Sequence, residues 1–314
     1  MKNKAATRDA YGKTLAELGK INNNIVVLDA DLAASTKTGI FAKEFPERFF
    51  DMGVAEQDMI STAAGLAACG KIAFASTFAV FGSGRAWEQV RMSLAYTRLN
   101  VKVVVTHAGI TTGEDGASHQ ANEDIAIMRV LPNMTVIVPA DYIEACKVIK
   151  AAVDFHGPMY IRLSRIATPI VYENKDYNYK IGQGIVLKEG KDAVVFACGI
   201  MVAIALEAAE ALKSEGISTK VVNIHTIKPL DKELIISSAK ETGAVVCAEE
   251  HSIIGGLGGA VAEVLSENHA TPIERVGIND VFGESGKPDE LLEKYGLTAG
   301  HIISSVKHVI SRKK

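Results

Sequence analysis

The chain alternates between short, uniformly apolar runs and longer stretches in which apolar residues recur every three or four positions. Runs at 25–28 (IVVL), 72–75 (IAFA), 101–105 (VKVVV), 135–138 (TVIV) and 159–163 (MYIRL) are too short and too apolar for surface helices and read as buried strands. Between them, 59–69 is an Ala-rich helix stopped by Gly70. Residues 142–155 form a helix that Asp141 caps, with Glu144 as its capping-box partner and Gly157 and Pro158 beyond its end. The second half repeats the rhythm. Strands are expected at 193–197 (AVVFA), 219–224 (TKVVNI) and 244–248 (AVVCA), and helices at 201–213, from Asp231 to Glu241, after the turn IIGGLGG, and at 289–295 and 298–310. Such alternation implies an α/β fold of two doubly wound domains with mostly parallel sheets. A stretch rich in Tyr, Asn and Lys without a clear period separates them. The expected boundaries are therefore a first domain over 1–166, a linker over 167–190 and a second domain over 191–314.

Composition narrows the class. With 314 residues, 48% of them hydrophobic and 23% charged, the chain has the material for a buried core and is neither disordered nor collagen-like. Thirty-four basic against 37 acidic residues give a net charge of −3 without long blocks of one sign, which argues against a nucleic-acid partner. The four cysteines (Cys69, Cys146, Cys198, Cys247) form no C-x-x-C pair, so neither structural zinc nor a disulfide framework is indicated. The first twenty residues lack a signal-peptide core, and the longest apolar stretch, broken by Gly199, falls short of the ~20 residues of a membrane span. The expectation is a cytoplasmic protein with no membrane partner.

In open parallel sheets ligands sit beyond the carboxyl ends of the strands. There the sequence gathers Asp31 and Ser35 after IVVL, His107 and the loop GITTGEDGASHQ (109–120) after VKVVV, and Arg165 after MYIRL. Loops of this kind are commonly polar, but here they converge, and Arg165, His107 and Ser35 together can hold a phosphate. Three glycines (Gly109, Gly113, Gly116) are expected to let the loop approach a ligand closely. Asp115 and His119 lack further ligands at metal-binding spacing, so no metal site is expected on this chain and hydrogen bonding to a polyol fits them better. Glu56, in the first turn of the Ala-rich helix, by itself does no more than complement the helix dipole. Phe78 and Phe81, beyond the strand IAFA, serve a core as readily as a ring-binding platform. The glycine turn at 255–259 fails as a dinucleotide fingerprint, because Val261 stands where the last glycine belongs, and close packing explains it better.

Taken in order, GVAEQDM (53–59), STFAVF (76–81), GEDGASHQ (113–120) and LSR (163–165) resemble the pyrimidine-binding and C-terminal domains of transketolase, a thiamine diphosphate enzyme. EEHSIIGGLGGAVAEVL (249–265) and KYGLT (294–298) extend the resemblance over essentially the whole chain. The resemblance implies that Glu56 hydrogen-bonds the aminopyrimidine ring, activating the cofactor to carry a two-carbon ketol unit from a ketose phosphate to an aldose phosphate. Phe78 and Phe81 match the aromatic pocket around that ring, and Asp31 a carboxylate near it. A third aromatic usual in the family falls at Gly84, so the pocket is more open or filled from elsewhere. Arg8, Ser35, His107 and Arg165 match a sugar-phosphate clamp, and Asp115 and His119 match groups that bond substrate hydroxyls. Glu56, His107 and His119 are thereby the implied catalytic set. The spacing from His107 to Asp115 favours transketolase over the related synthase of deoxyxylulose phosphate.

Family members bind the diphosphate and Mg²⁺ through G-D-G followed about thirty residues later by Asn, and this sequence has no G-D-G. With Met1 standing directly before the pyrimidine-binding domain, the expectation is the C-terminal subunit of a split transketolase. It would self-associate and join a separate N-terminal subunit as α2β2. Two other readings stay open. One is the β subunit of a 2-oxo acid dehydrogenase, against which GEDGASHQ and the basic clamp count. The other is a non-catalytic sugar-phosphate-binding module.

Overall fold

The computed structural model describes residues 3–172 and 177–313; residues 1 and 2, residues 173–176 of the expected linker, and residue 314 lie outside them. Fourteen strands among the described residues form three sheets: β1 (Lys4–Ala6), β2 (Ile25–Asp29), β3 (Phe49–Asp51), β4 (Ile72–Phe78), β5 (Val101–Thr106), β6 (Thr135–Ile137), β7 (Met159–Arg162), β8 (Ala167–Pro169), β9 (Ile185–Lys188), β10 (Ala193–Ala197), β11 (Thr219–Asn223), β12 (Thr226–Lys228), β13 (Val245–Ser252) and β14 (Ile273–Ile278). The larger sheet runs β12-β6-β7-β5-β4-β2-β3, and the smaller β14-β13-β10-β11-β9. Both are parallel except at one edge, where β12 opposes β6 and β9 opposes β11. This is the expected architecture of two mainly parallel sheets in an α/β chain.

The central strands are apolar because both of their faces are covered. β2, β5, β10 and β11 are buried at every residue. Local signals end the helices as expected. Asp141 accepts the Glu144 amide at 2.8 Å, while the Glu144 carboxylate reaches back to the Ala140 amide at 2.7 Å. Asp231 caps the helix Lys232–Thr242 through the Leu234 amide at 3.1 Å.

Three features depart from the sequence reading. β4 runs on to Phe78, so this aromatic sits within the strand rather than beyond it. The stretch expected as a featureless linker holds β8, antiparallel to β1, and β9, an edge of the smaller sheet. Finally, β12 belongs to the second half of the chain yet closes the edge of the first sheet. One hydrophobic cluster accordingly runs through both sheets, joining Val136, Val138 and Tyr160 to Phe196, Ile224 and Leu257.

The glycine turn of the second domain is already filled. The Glu249 carboxylate, on β13, accepts the Leu257 amide at 2.6 Å and the Gly258 amide at 2.8 Å, the free donors that open the helix Leu257–Asn268. A Cβ at Gly256 would lie 2.0 Å from that carboxylate, so glycine is required by the approach of the protein's own side chain. This bears out packing, not phosphate binding, as the role of the turn. Replacing Glu249 with Ala leaves two buried amides unpaired and is expected to lower stability by about 1–3 kcal/mol. Urea unfolding of the purified variant measures it, and an unchanged midpoint would contradict the assignment.

Candidate active site

The site forms where β2, β4, β5 and β7, neighbours in the larger sheet, end. Asp29, the last residue of β2, is buried and organises the segment that follows. It accepts the Leu32 amide at 2.6 Å and the Thr36 and Thr38 hydroxyls at 2.7 and 2.8 Å. Burial pushes its carboxyl up to about 6, against the pull of those three donors. Asp31 and His107, both non-glycine residues, take left-handed backbone conformations (φ 62° and 58°) at the ends of β2 and β5. Such positions are sparsely populated and cluster at functional sites. Asp51 ties two loops together by accepting the Asp31 amide at 3.2 Å and the Gly53 amide at 3.0 Å. Asp31 itself is exposed.

Arg8, His107 and Arg165 converge. Arg8 donates to the Ser35 carbonyl at 3.1 Å and to His107 Nε2 at 3.5 Å. A guanidinium only donates, so Nε2 accepts, and His107 Nδ1 carries the proton that goes to Thr106 Oγ1 at 2.8 Å. His107 is thus neutral. Burial first, then the charges of Arg8, Arg165, His119 and Lys37, push its pKa down to about 3. Arg8 is also lowered, by partial burial and by Arg165, while Asp9 opposes the shift. Cations crowded in this way favour an anion among them. Arg165 is shared meanwhile between the Thr112 carbonyl and the carboxylates of Glu114 and Asp115, at 3.5 and 3.7 Å. Ser35 joins this cluster through its backbone carbonyl.

Aromatic rings continue the surface. Phe78 stacks on His107 with centroids 3.8 Å apart, Phe81 lies 6.1 Å from Phe78, and His119 meets Phe81 edge-on at 5.4 Å. Beyond Phe81 lies Glu56, which is only 2% exposed at the start of the helix Glu56–Ala68. Complementing the helix dipole does not by itself call for such burial. Glu56 receives Arg85 Nη1 on both carboxylate oxygens, at 3.0 and 3.1 Å, and the same guanidinium lies 4.7 Å from the centre of the Phe81 ring. Sequence reasoning missed Arg85. It ends a single turn of π-helix, Phe81–Arg85, closed by the Ala86 amide on the Phe81 carbonyl at 3.2 Å. A Cβ at Gly84 would meet nothing within 4 Å, so the space of the absent third aromatic is open there, and Arg85 covers Phe81 instead.

The loop carrying Asp115 and His119 is pinned from the second domain. Glu250 accepts the Thr111 amide and hydroxyl at 2.8 and 2.7 Å, and Gln120 donates to the Glu284 carbonyl at 2.9 Å. A Cβ at Gly109 (φ 79°) would lie 2.3 Å from Glu250, and one at Gly116 would lie 2.5 Å from Ser285 Oγ. At Gly109 and Gly116 the close approach is therefore that of the neighbouring domain. Among the described residues there is no cluster of three or more His, Cys, Asp or Glu able to hold a metal, and no helix is long and apolar enough to cross a membrane.

Comparison with known proteins places this geometry. Residues 3–170 match the family description "Transketolase, pyrimidine binding domain", and residues 182–302 match "Transketolase, C-terminal domain". A putative transketolase C-terminal section of Methanocaldococcus jannaschii is 56% identical over 301 residues, covering 95% of this chain and 94% of the relative. A 6-deoxy-6-sulfo-D-fructose transketolase subunit of Clostridium sp. strain MSTE9 is 47% identical, covering 98% and 95%. A solved structure described as a split gene transketolase, inactive beta4 tetramer, is 58% identical and superposes with a TM-score of 0.92, covering 98% of this chain and 99% of that one. The chain belongs to the transketolase family and corresponds to the C-terminal section of a split transketolase, built of its pyrimidine-binding and C-terminal domains.

Proposed function

We propose that this chain supplies the pyrimidine half of a thiamine diphosphate-dependent ketol-transfer site, active with a separate N-terminal subunit. The observation that carries the proposal is the buried carboxylate of Glu56 facing a planar, cationic N–H donor that rests on Phe81. Bound aminopyrimidine offers the same features: a flat ring, a nitrogen that bonds a carboxylate, and a face that stacks on aromatics. The group therefore fits the residues present, with Glu56, Phe78 and Phe81 holding its ring and Asp31 on the adjoining loop. Thiamine diphosphate, when bound, supplies the carbon nucleophile that takes up the two-carbon ketol unit. The diphosphate and Mg²⁺ are assigned to the partner, because this sequence contains no G-D-G.

Contacts run without a break from Glu56 through Arg85, Phe81 and Phe78 to His107 and Arg8. On this reading the cations Arg8 and Arg165 bind the terminal anion of the sugar, aided by Ser35. Neutral His107, whose Nδ1 proton goes to Thr106, accepts at Nε2 from Arg8 or from a substrate hydroxyl, His119 and Asp115 bond substrate hydroxyls, and Glu56 holds the ring nitrogen's proton. A phosphate and a sulfonate meet the same clamp. The Clostridium relative, named for a sulfonated fructose, supports an anionic ketose of either kind.

The isolated chain is expected to transfer no ketol groups, as befits its likeness to an inactive tetramer. Addition of an N-terminal subunit, Mg²⁺ and thiamine diphosphate is expected to start transfer. A coupled assay of aldose consumption decides, and robust turnover by this polypeptide alone would overturn the two-subunit reading. In the complex, Glu56→Gln is expected to lower turnover at least ~100-fold, the scale of a lost proton-handling group, with an unchanged circular dichroism spectrum. A near-normal rate would return Glu56 to a purely structural role. Arg8→Ala and Arg165→Ala are each expected to raise KM at least ~10-fold for phosphorylated or sulfonated sugars and little for uncharged ones. Equal effects on both classes would remove the clamp.

A further inference from the structure

The contacts of Arg85 go beyond an ordinary surface ion pair. Glu56 is 2% exposed at its side chain, whereas that of Arg85 is 50% exposed, so a fixed carboxylate is met by an arm reaching in from solvent. An ionised carboxylate at such depth without a partner would be costly. Neither Lys nor a solvent cation could answer in the same way, because only a guanidinium combines a delocalised plane with directed N–H groups. Here that plane rests over Phe81 while one nitrogen spans both oxygens of Glu56. The π-turn brings this about. Its extra residue carries Arg85 round toward Phe81, and Gly84 leaves open space beside it.

We propose that Arg85 is a built-in placeholder for the cofactor's aminopyrimidine, occupying the hydrogen-bonding face of Glu56 and the stacking face of Phe81 until thiamine diphosphate displaces it. The proposal rests on the cofactor reading above and adds an element of regulation to it. The free subunit keeps its buried carboxylate paired and its aromatic surface covered, and cofactor binding must break two Arg85–Glu56 contacts and one cation–ring contact. Arg85 is thus a positioning residue, acting on the reaction only through Glu56. Its release costs affinity, and its exposed arm has solvent to move into.

The test is calorimetric titration of thiamine diphosphate into the complex of this chain with an N-terminal subunit in the presence of Mg²⁺. Wild type, Arg85→Ala and Arg85→Lys are compared, with and without millimolar guanidinium chloride. Arg85→Ala is expected to bind about tenfold more tightly than wild type, the worth of one hydrogen bond to a charged group. Arg85→Lys, which keeps charge without the plane, is expected to fall between them. Guanidinium ion is expected to weaken binding to Arg85→Ala toward the wild-type value and to leave wild type nearly unchanged. That competition also establishes that the variant pocket is folded. Equal or weaker binding by Arg85→Ala, or no competition by guanidinium, would overturn the placeholder while leaving the cofactor reading intact. A wild-type complex that takes up no thiamine diphosphate would overturn both.

Discussion

The geometry of the site depends on one buried ion pair. Arg162, at the end of β7, donates through Nε to Asp124 at 2.8 Å, while its Nη2 reaches the Ala121 carbonyl at 3.1 Å and the Glu250 carbonyl at 3.0 Å. Tyr160 adds a hydroxyl to the same Asp124 oxygen at 2.7 Å. Burial works against the charge of Arg162, and Asp124 more than reverses it, so its pKa ends above the ordinary value. Removing either partner would strand a buried charge, which is far costlier than losing a surface pair. Through this single guanidinium the first sheet, the end of the loop carrying His119, and β13 of the second domain are held in one register.

That register gives the second domain a physical task at the site. Glu250, adjacent in sequence to the Glu249 that fills its own domain's glycine turn, grips Thr111, and the segment around Glu284 and Ser285 holds Gln120 and Gly116. The loop is therefore tied at several points to the second domain, the kind of support that preorganised electrostatics require. Charge is prepared in the same spirit. The guanidiniums of Arg8 and Arg165 both bear on a neutral His107, while the Glu56 carboxylate stands at the far end of the aromatic surface, paired with Arg85.

The central strands were legible in the sequence because burial on both faces leaves continuous apolar runs that nothing else in the chain imitates. Three-residue edges such as β8 and β12 were not, since they owe their extended form to a partner strand rather than to their own pattern. Of the polar residues beyond the strand ends, His107, Asp115, His119 and Arg165 lie together and Ser35 joins them by a carbonyl, whereas Asp31 is exposed on the adjoining loop. Arg85 escaped because its position depends on the π-turn, whose only trace is the Gly-Ser-Gly of 82–84. The loop glycines were legible as points of close approach, but sequence cannot say whether a ligand or a neighbouring domain approaches. That answer lies in Glu250 and Ser285, more than a hundred residues away.

The most direct test of the Glu56 assignment is a crystal structure of the two-subunit complex with thiamine diphosphate. The expected result is the cofactor's ring nitrogen within about 3.2 Å of the Glu56 carboxylate, hydrogen-bond distance, with the ring against Phe78 and Phe81 and Arg85 turned outward. A bound cofactor whose ring lies away from Glu56, with the Arg85 contacts intact, would contradict it.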